Sequence, residues 1–221
     1  GLVLRILSCL LLFVLGCGAS APYVTEAPPV DALPTALHST VLVTEGGGLC
    51  SGVIVQQVIL TAAHCISVDG QGIQVAFFDP TMPENVGKLQ DAVVAKLDRD
   101  QDLAVLLLAS GDLPIGISLA PSNLDWGRPV VSIGHPLGLY FTITTGVVSN
   151  PSRWLKGRHV LQISSPTTFG NSGGPVFNGY GELVGINSFM LAQQDFSGDY
   201  TPTNHLGMAV HLDEIRRFLK Q

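Results

Sequence analysis

Residues 170–175 of this 221-residue chain read Gly-Asn-Ser-Gly-Gly-Pro, a serine hydroxyl set inside a glycine-dense turn. A serine attacks a carbonyl only when a base takes its proton and nearby donors stabilise the oxyanion that forms. The glycines permit turn geometry in which several N–H groups converge on one point. A base is available in Thr61-Ala62-Ala63-His64-Cys65, at the end of an apolar segment, and histidine titrates near working pH. An acid stands between the two, where Asp102 opens the run Asp-Leu-Ala-Val-Leu. Behind His64 it would hold the imidazole in the useful tautomer and stabilise its charged form. Asp98 and Asp100 compete for that role, but both fit a solvated turn, whereas Asp102 sits at the mouth of a buried-type strand. These residue types point to acyl transfer, with Ser172 as nucleophile, His64 as general base and Asp102 as orienting acid.

Together these segments resemble the trypsin/chymotrypsin superfamily of serine peptidases, in which the chain order is also His, Asp, Ser. The C-terminal half is most similar to the HtrA branch. That similarity is carried by Ser132-Ile133-Gly134-His135-Pro136-Leu137-Gly138 with residues 142–149, by residues 169–178, and by Gly185-Ile186-Asn187-Ser188 with Gly207-Met208-Ala209-Val210. The resemblance covers roughly residues 41–211. It implies an oxyanion hole from the backbone N–H groups of Gly170 and Ser172, and a primary pocket that includes Phe169, Ile186, Asn187, Ser188 and Met208. His135 stands where relatives commonly carry another residue, and a loop role is expected for it. Cys50 and Cys65 look like the chymotrypsin-type pair, and a disulfide between them is expected. No trypsin-like Ile-Val-Gly-Gly activation site is present, and Asn171 stands where an aspartate would pair with a freed N-terminus. Activation by N-terminal cleavage is therefore not expected, and neither is a PDZ domain in the few residues after 211.

The expected fold is all-β. Strand signals begin at 41, and short apolar segments at 51–56, 58–61, 73–78, 92–97, 103–108, 130–133, 141–148, 160–164, 175–177, 183–189 and 207–210 alternate with Gly, Pro and Asn turns, the pattern of a strand-rich domain. Residues 105–108 form a continuous apolar run, as in a strand buried on both faces. The arrangement as two six-stranded antiparallel β-barrels, 41–117 and 118–211, comes from the family resemblance and not from periodicity. Leu212, Ile215, Phe218 and Leu219 recur at helical spacing with Asp213 and Glu214 early, so residues 212–221 read as a short C-terminal helix.

The N-terminal 17 residues read as a signal peptide. Arg5 precedes an apolar run over 6–15, too short for the roughly 20 residues of a spanning helix. Val14-Leu15-Gly16-Cys17 resembles a lipobox, which would make Cys17 a lipidated residue and give membrane attachment; ordinary cleavage after Ala19-Ser20-Ala21 is the rival, disfavoured by Pro22. Residues 18–40, with Pro22, Pro28, Pro29 and Pro34, read as an extended tether. With Cys9 in the removed segment, Cys50 and Cys65 remain as an even pair, which agrees with export to an oxidising compartment such as a bacterial periplasm or cell envelope.

Net charge is −6 and no basic run occurs, which excludes phosphate-driven nucleic-acid binding. No metal-ligand spacing joins His38, His135, His159, His205 and His211, and no cofactor is expected. The implied pocket carries no charged residue. A charged substrate side chain would lie there unpaired, at high cost, so cleavage after small or medium aliphatic residues such as Val, Ala or Leu is expected. Asn187 in place of a histidine weakens a glutamate-specific reading. The leading function is an exported serine endopeptidase acting on exposed or misfolded polypeptide segments. A latent or catalytically silent peptide-binding module is the alternative, and an esterase with the same three groups is a third.

Overall fold

The computed structural model describes residues 32–194 and 200–220. The leader over 1–17, Cys9, Cys17 and the first part of the proline-rich stretch lie outside them.

Twelve strands form two closed antiparallel barrels. The first holds β1 (Thr40–Glu45), β2 (Gly48–Val55), β3 (Val58–Thr61), β4 (Gln74–Phe77), β5 (Gln90–Asp98) and β6 (Leu103–Leu108), in the order β1-β2-β3-β6-β5-β4. The second holds β7 (Pro129–Gly134), β8 (Thr142–Leu155), β9 (Arg158–Ile163), β10 (Pro175–Phe177), β11 (Leu183–Gln194) and β12 (Tyr200–His211), in the order β10-β11-β12-β9-β8-β7. Closure comes from β1 pairing with β4 and from β7 pairing with β10.

The apolar runs are explained by two cores that share strands. Side chains alternate faces along a strand. In β6, Ala104 and Leu106 point into the first barrel beside Val41, Ile54, Ile59 and Val75. Leu103 and Val105 point outward into a seam between the barrels, beside Val53, Leu60, Ile133, Phe177 and Ile186. The doubly buried stretch is therefore 103–106, two residues earlier than the run expected at 105–108, since Leu107 is 39% exposed. A third cluster, including Val130, Val148, Leu161 and Val176, fills the second barrel.

Two helices seal the seam. Leu33–Ser39, within the stretch expected to be an extended tether, forms helix α1 and buries Ala36 against the seam core. Pro34 fits its first turn, where a missing N–H costs nothing. Helix α2 (Leu212–Lys220) buries Leu212, Ile215 and Phe218, the spacing expected of it. Lys96 Nζ donates to the Phe218 carbonyl at 2.5 Å, satisfying a helix C-terminal acceptor. Arg216 donates to Asp213 at 3.1 Å and to the Ala120 carbonyl at 2.5 Å.

Candidate active site

His64, Asp102 and Ser172 come from three separate loops that meet at the seam. His64 lies in a 3₁₀ turn, Ala63–Cys65, directly after β3. The turn is tied down by the Cys50–Cys65 disulfide, with Cα atoms 6.1 Å apart. Closing this 15-residue separation stabilises the fold by about 3 kcal/mol in the chain-entropy model.

Asp102 precedes β6 and is 1% exposed, while the His64 side chain is 47% exposed. Both carboxylate oxygens face His64 Nδ1, at 3.0 and 2.9 Å. The backbone N–H of His64 also donates to Asp102 Oδ1 at 3.0 Å, and Ser188 Oγ donates to Oδ2. Burial alone would raise the Asp102 pKa; the hydrogen bond and charge of His64, with the Ser188 hydroxyl, outweigh it and hold the carboxyl below its usual range. Asp98 accepts from the Gln101 N–H at 2.9 Å and caps the same turn. Neither Asp98 nor Asp100 bonds the imidazole through its side chain among the described residues.

Ser172 sits in the turn before β10. Its Oγ donates to the Ser188 carbonyl at 3.5 Å, a long bond. The turn is anchored from both barrels. Ser51 on β2 donates its N–H to the Ser172 carbonyl at 2.8 Å and its Oγ to the Gly170 carbonyl at 2.7 Å. Gly173 donates to the Asn187 carbonyl at 2.7 Å, and Asn187 returns its N–H to Gly174 at 2.8 Å. Gly173 has φ +81°, and a Cβ there would stand 2.2 Å from both the Ser51 carbonyl and Thr61 Oγ1, so no other residue fits.

None of the backbone hydrogen bonds among the described residues uses the N–H of Gly170 or Ser172. Gly170 has φ +96°, and a Cβ would meet the His135 carbonyl at 2.1 Å. Leu137 donates its N–H to the Phe169 carbonyl at 2.9 Å. The loop that supplies Leu137 is set by His135, which is wholly buried. Its Nδ1 accepts from the Phe141 N–H at 3.0 Å, and its ring meets the Phe141 ring edge-on at 4.7 Å. Nε2 must then carry the proton. Nε2 is buried and has no hydrogen-bond partner among the described residues. Burial pushes the imidazole pKa down to about 4.

The five residues expected to line the primary pocket divide. Phe169 is 71% exposed beside the serine turn. Asn187 is buried, and its side-chain amide has no partner among the described residues. Ile186 belongs to the seam core; as the strand neighbour of Asn187 it faces the opposite way, so its side chain is core packing and not pocket wall on the Asn187 side. Ser188 spends its hydroxyl on Asp102 and offers only its carbonyl toward Ser172. Met208 is buried opposite Phe189 and Gln162. Ser51, His135 and Arg158 were not singled out as site residues in the sequence, since each acts through partners distant along the chain. Among the described residues, no group of three or more His, Cys, Asp or Glu side chains could hold a metal.

The two closed barrels, with His, Asp and Ser brought together at their seam, define a trypsin-like fold. The family pattern described as a trypsin-like peptidase domain matches residues 50–186, and the chain belongs to that family. It is similar to the mitochondrial serine protease HTRA2 of Drosophila pseudoobscura pseudoobscura, 32% identical over 218 residues, covering 94% of this chain and 46% of that protein. It is likewise similar to the protein of the same name from Drosophila willistoni, 33% identical over 181 residues, covering 77% of this chain and 38% of that protein. The chain thus spans less than half the length of these relatives.

Proposed function

We propose that this chain is a serine endopeptidase that hydrolyses peptide bonds through an acyl-enzyme on Ser172. The observation that carries the reading is the grip of the buried Asp102 on His64 Nδ1 through both carboxylate oxygens, at 2.9 and 3.0 Å. That grip leaves Nε2 as the ring nitrogen able to take a proton from Ser172. Ser172 Oγ attacks the substrate carbonyl carbon as His64 accepts its proton. The oxyanion is held by the N–H groups of Gly170 and Ser172. The protonated His64 then gives its proton to the leaving amine, leaving an ester on Ser172. Water, deprotonated by His64, attacks that ester, and the carboxyl product departs as the proton returns to Ser172.

The substrate is an exposed or misfolded polypeptide segment, cut after an uncharged side chain of small or medium size such as Val, Ala or Leu. Asn187 and Met208, both uncharged, support this. A second reading, a latent enzyme that a peptide or partner completes, is favoured by the Ser172 hydroxyl, which leans 3.5 Å toward the Ser188 carbonyl. Nucleophile–base bonds do tighten on substrate binding in this kind of chemistry.

The Cys50–Cys65 disulfide supports an oxidising compartment. With the apolar leader it supports export, with Cys17 as the lipid anchor at a cell envelope. Retention of fatty-acid label by the wild type and its loss in Cys17→Ala would test the anchor.

The test of activity is labelling by a fluorophosphonate, followed by intact mass, in the wild type beside Ser172→Ala. A single adduct on the wild type alone is expected. Absence of labelling from the folded wild type, with and without added peptides, would overturn the reading in favour of a silent binding module.

A further inference from the structure

Beside Asp102, apart from the His64 imidazole, stands a cation that comes from the other barrel. Arg158 opens β9. Its Nε donates to the Asp100 carbonyl at 3.0 Å and its Nη2 to the Arg99 carbonyl at 3.0 Å. Its Nη1 stands 3.7 Å from Asp102 Oδ2. One guanidinium thus meets three of the four residues of the turn 99–102 across the seam, Arg99, Asp100 and Asp102, a task suited to a planar fork of donors and poorly done by an ammonium.

The turn needs holding. Asp102 has φ +59°, in the left-handed region, a conformation that a residue with a side chain keeps only when its surroundings impose it. Arg99, in the same turn, sends its own guanidinium the other way, to the carbonyls of Ala63 at 3.2 Å, Ile66 at 3.1 Å and Ser67 at 2.9 Å. Those residues bracket His64. A continuous set of contacts therefore runs from Arg158 through the 99–102 turn to the turn carrying His64.

We propose that Arg158 is a positioning residue: it reaches from the second barrel to fix the Asp102 turn, and so sets both the orientation and the basicity of His64. The inference rests on the peptidase reading for its consequence in catalysis, but not for its effect on His64 itself. The charged groups around the pair are few. Asp102 hydrogen-bonds His64 Nδ1 and stands 3.7 Å from the Arg158 guanidinium; Asp98 and Asp100 share its turn, and Arg99 is spent on the carbonyls beside His64. Asp102 stabilises the imidazolium, whereas a cation next to Asp102 opposes it. The Arg158 charge is beyond hydrogen-bond reach of the carboxylate and 31% exposed, so the electrostatic part is modest.

The experiment compares the wild type with Arg158→Gln and Arg158→Lys. Two quantities are read across pH: the fluorophosphonate labelling rate of Ser172, and the His64 titration by NMR in a Ser172→Ala background, which needs no activity. Arg158→Gln should raise the His64 pKa by about half a unit to one unit. The acid limb of the labelling profile should move up with it, and the plateau rate should fall about tenfold as the turn loosens. Arg158→Lys should restore the pKa and the acid limb but not the plateau, because it returns the charge without the fork. A shifted His64 titration in a protein that never labels would keep the inference and defeat the peptidase reading. A wild type that labels, with the same His64 pKa and plateau in Arg158→Gln, would overturn the inference. If Arg158→Gln does not fold, a folded Arg158→Lys that matches the wild type in both pKa and plateau overturns it equally.

Discussion

Leu137 donates its amide hydrogen to the carbonyl of Phe169 at 2.9 Å. Across a trans peptide the N–H points opposite to the C=O. Holding the Phe169 carbonyl toward the 135–138 loop therefore aims the Gly170 N–H away from that loop. The donor pair proposed for the oxyanion hole depends on that single backbone contact.

Gly170→Ala tests it directly. The new Cβ would need space now occupied by the His135 carbonyl, 2.1 Å away, at φ +96°, so the 169–170 peptide must rotate. Loss of one oxyanion donor lowers rates by about 10²–10³. The expected outcome is a drop of that size in labelling rate, with the disulfide and the barrel circular-dichroism signature retained. A labelling rate within a factor of three of the wild type would exclude Gly170 from the hole.

Ser188→Ala separates two roles for one residue. In the sequence Ser188 reads as part of the pocket, but its hydroxyl is committed to Asp102. Removing a hydrogen bond to a buried carboxylate costs about 1.5–3 kcal/mol. The variant should therefore lose about tenfold to a hundredfold in kcat, with KM for a peptide substrate little changed. A rise in KM at constant kcat would return Ser188 to a pocket role.

Much of this site was legible because its parts are local. The serine turn, the Thr-Ala-Ala-His-Cys run and the Asp-Leu-Ala-Val-Leu strand each carry their signature within a few residues. The succession of strands along the chain was also readable, since the apolar segments between turns coincide with β-strands. The missed contacts share one physical cause. Ser51 reaches Gly170 across 119 residues and Arg158 reaches Asp100 across 58, and no periodicity signals a contact made only when two barrels dock. Strand ends were misjudged where solvent-facing residues continue the ladder: β8 runs to Leu155, through Asn150 and Pro151, which read as a break. Helix α1 was hidden by its proline, which marks a first turn as readily as an extended chain.

The disulfide should matter more to stability than to chemistry. Cys50→Ser with Cys65→Ser removes a cross-link worth about 3 kcal/mol and frees the turn that carries His64. Urea unfolding should show a lower midpoint with little change in slope, and the labelling rate should fall less than tenfold. A loss of labelling at conditions where the variant is still folded would mean that the disulfide positions His64 directly.

His135 gives the fold a pH dependence with a definite sign. Burial pushes its pKa down to about 4, whereas in an unfolded chain it protonates near 6.5. Between those values the unfolded state binds more protons, so stability rises with pH. The contribution is complete above about pH 6.5 and is lost as pH falls toward 4, a loss of roughly 3 kcal/mol in all. His211 is shifted the same way, by burial and by the neighbouring His159, so the wild-type slope contains both histidines. His135→Asn isolates one of them. Thermal unfolding of the two proteins between pH 4.5 and 7.5 should show the variant less stable at pH 7.5 and the gap narrowing steadily toward pH 4.5. Parallel curves would mean that His135 titrates alike in the folded and unfolded chains, and that the loop holding Phe169 and Gly170 does not depend on a neutral, buried imidazole.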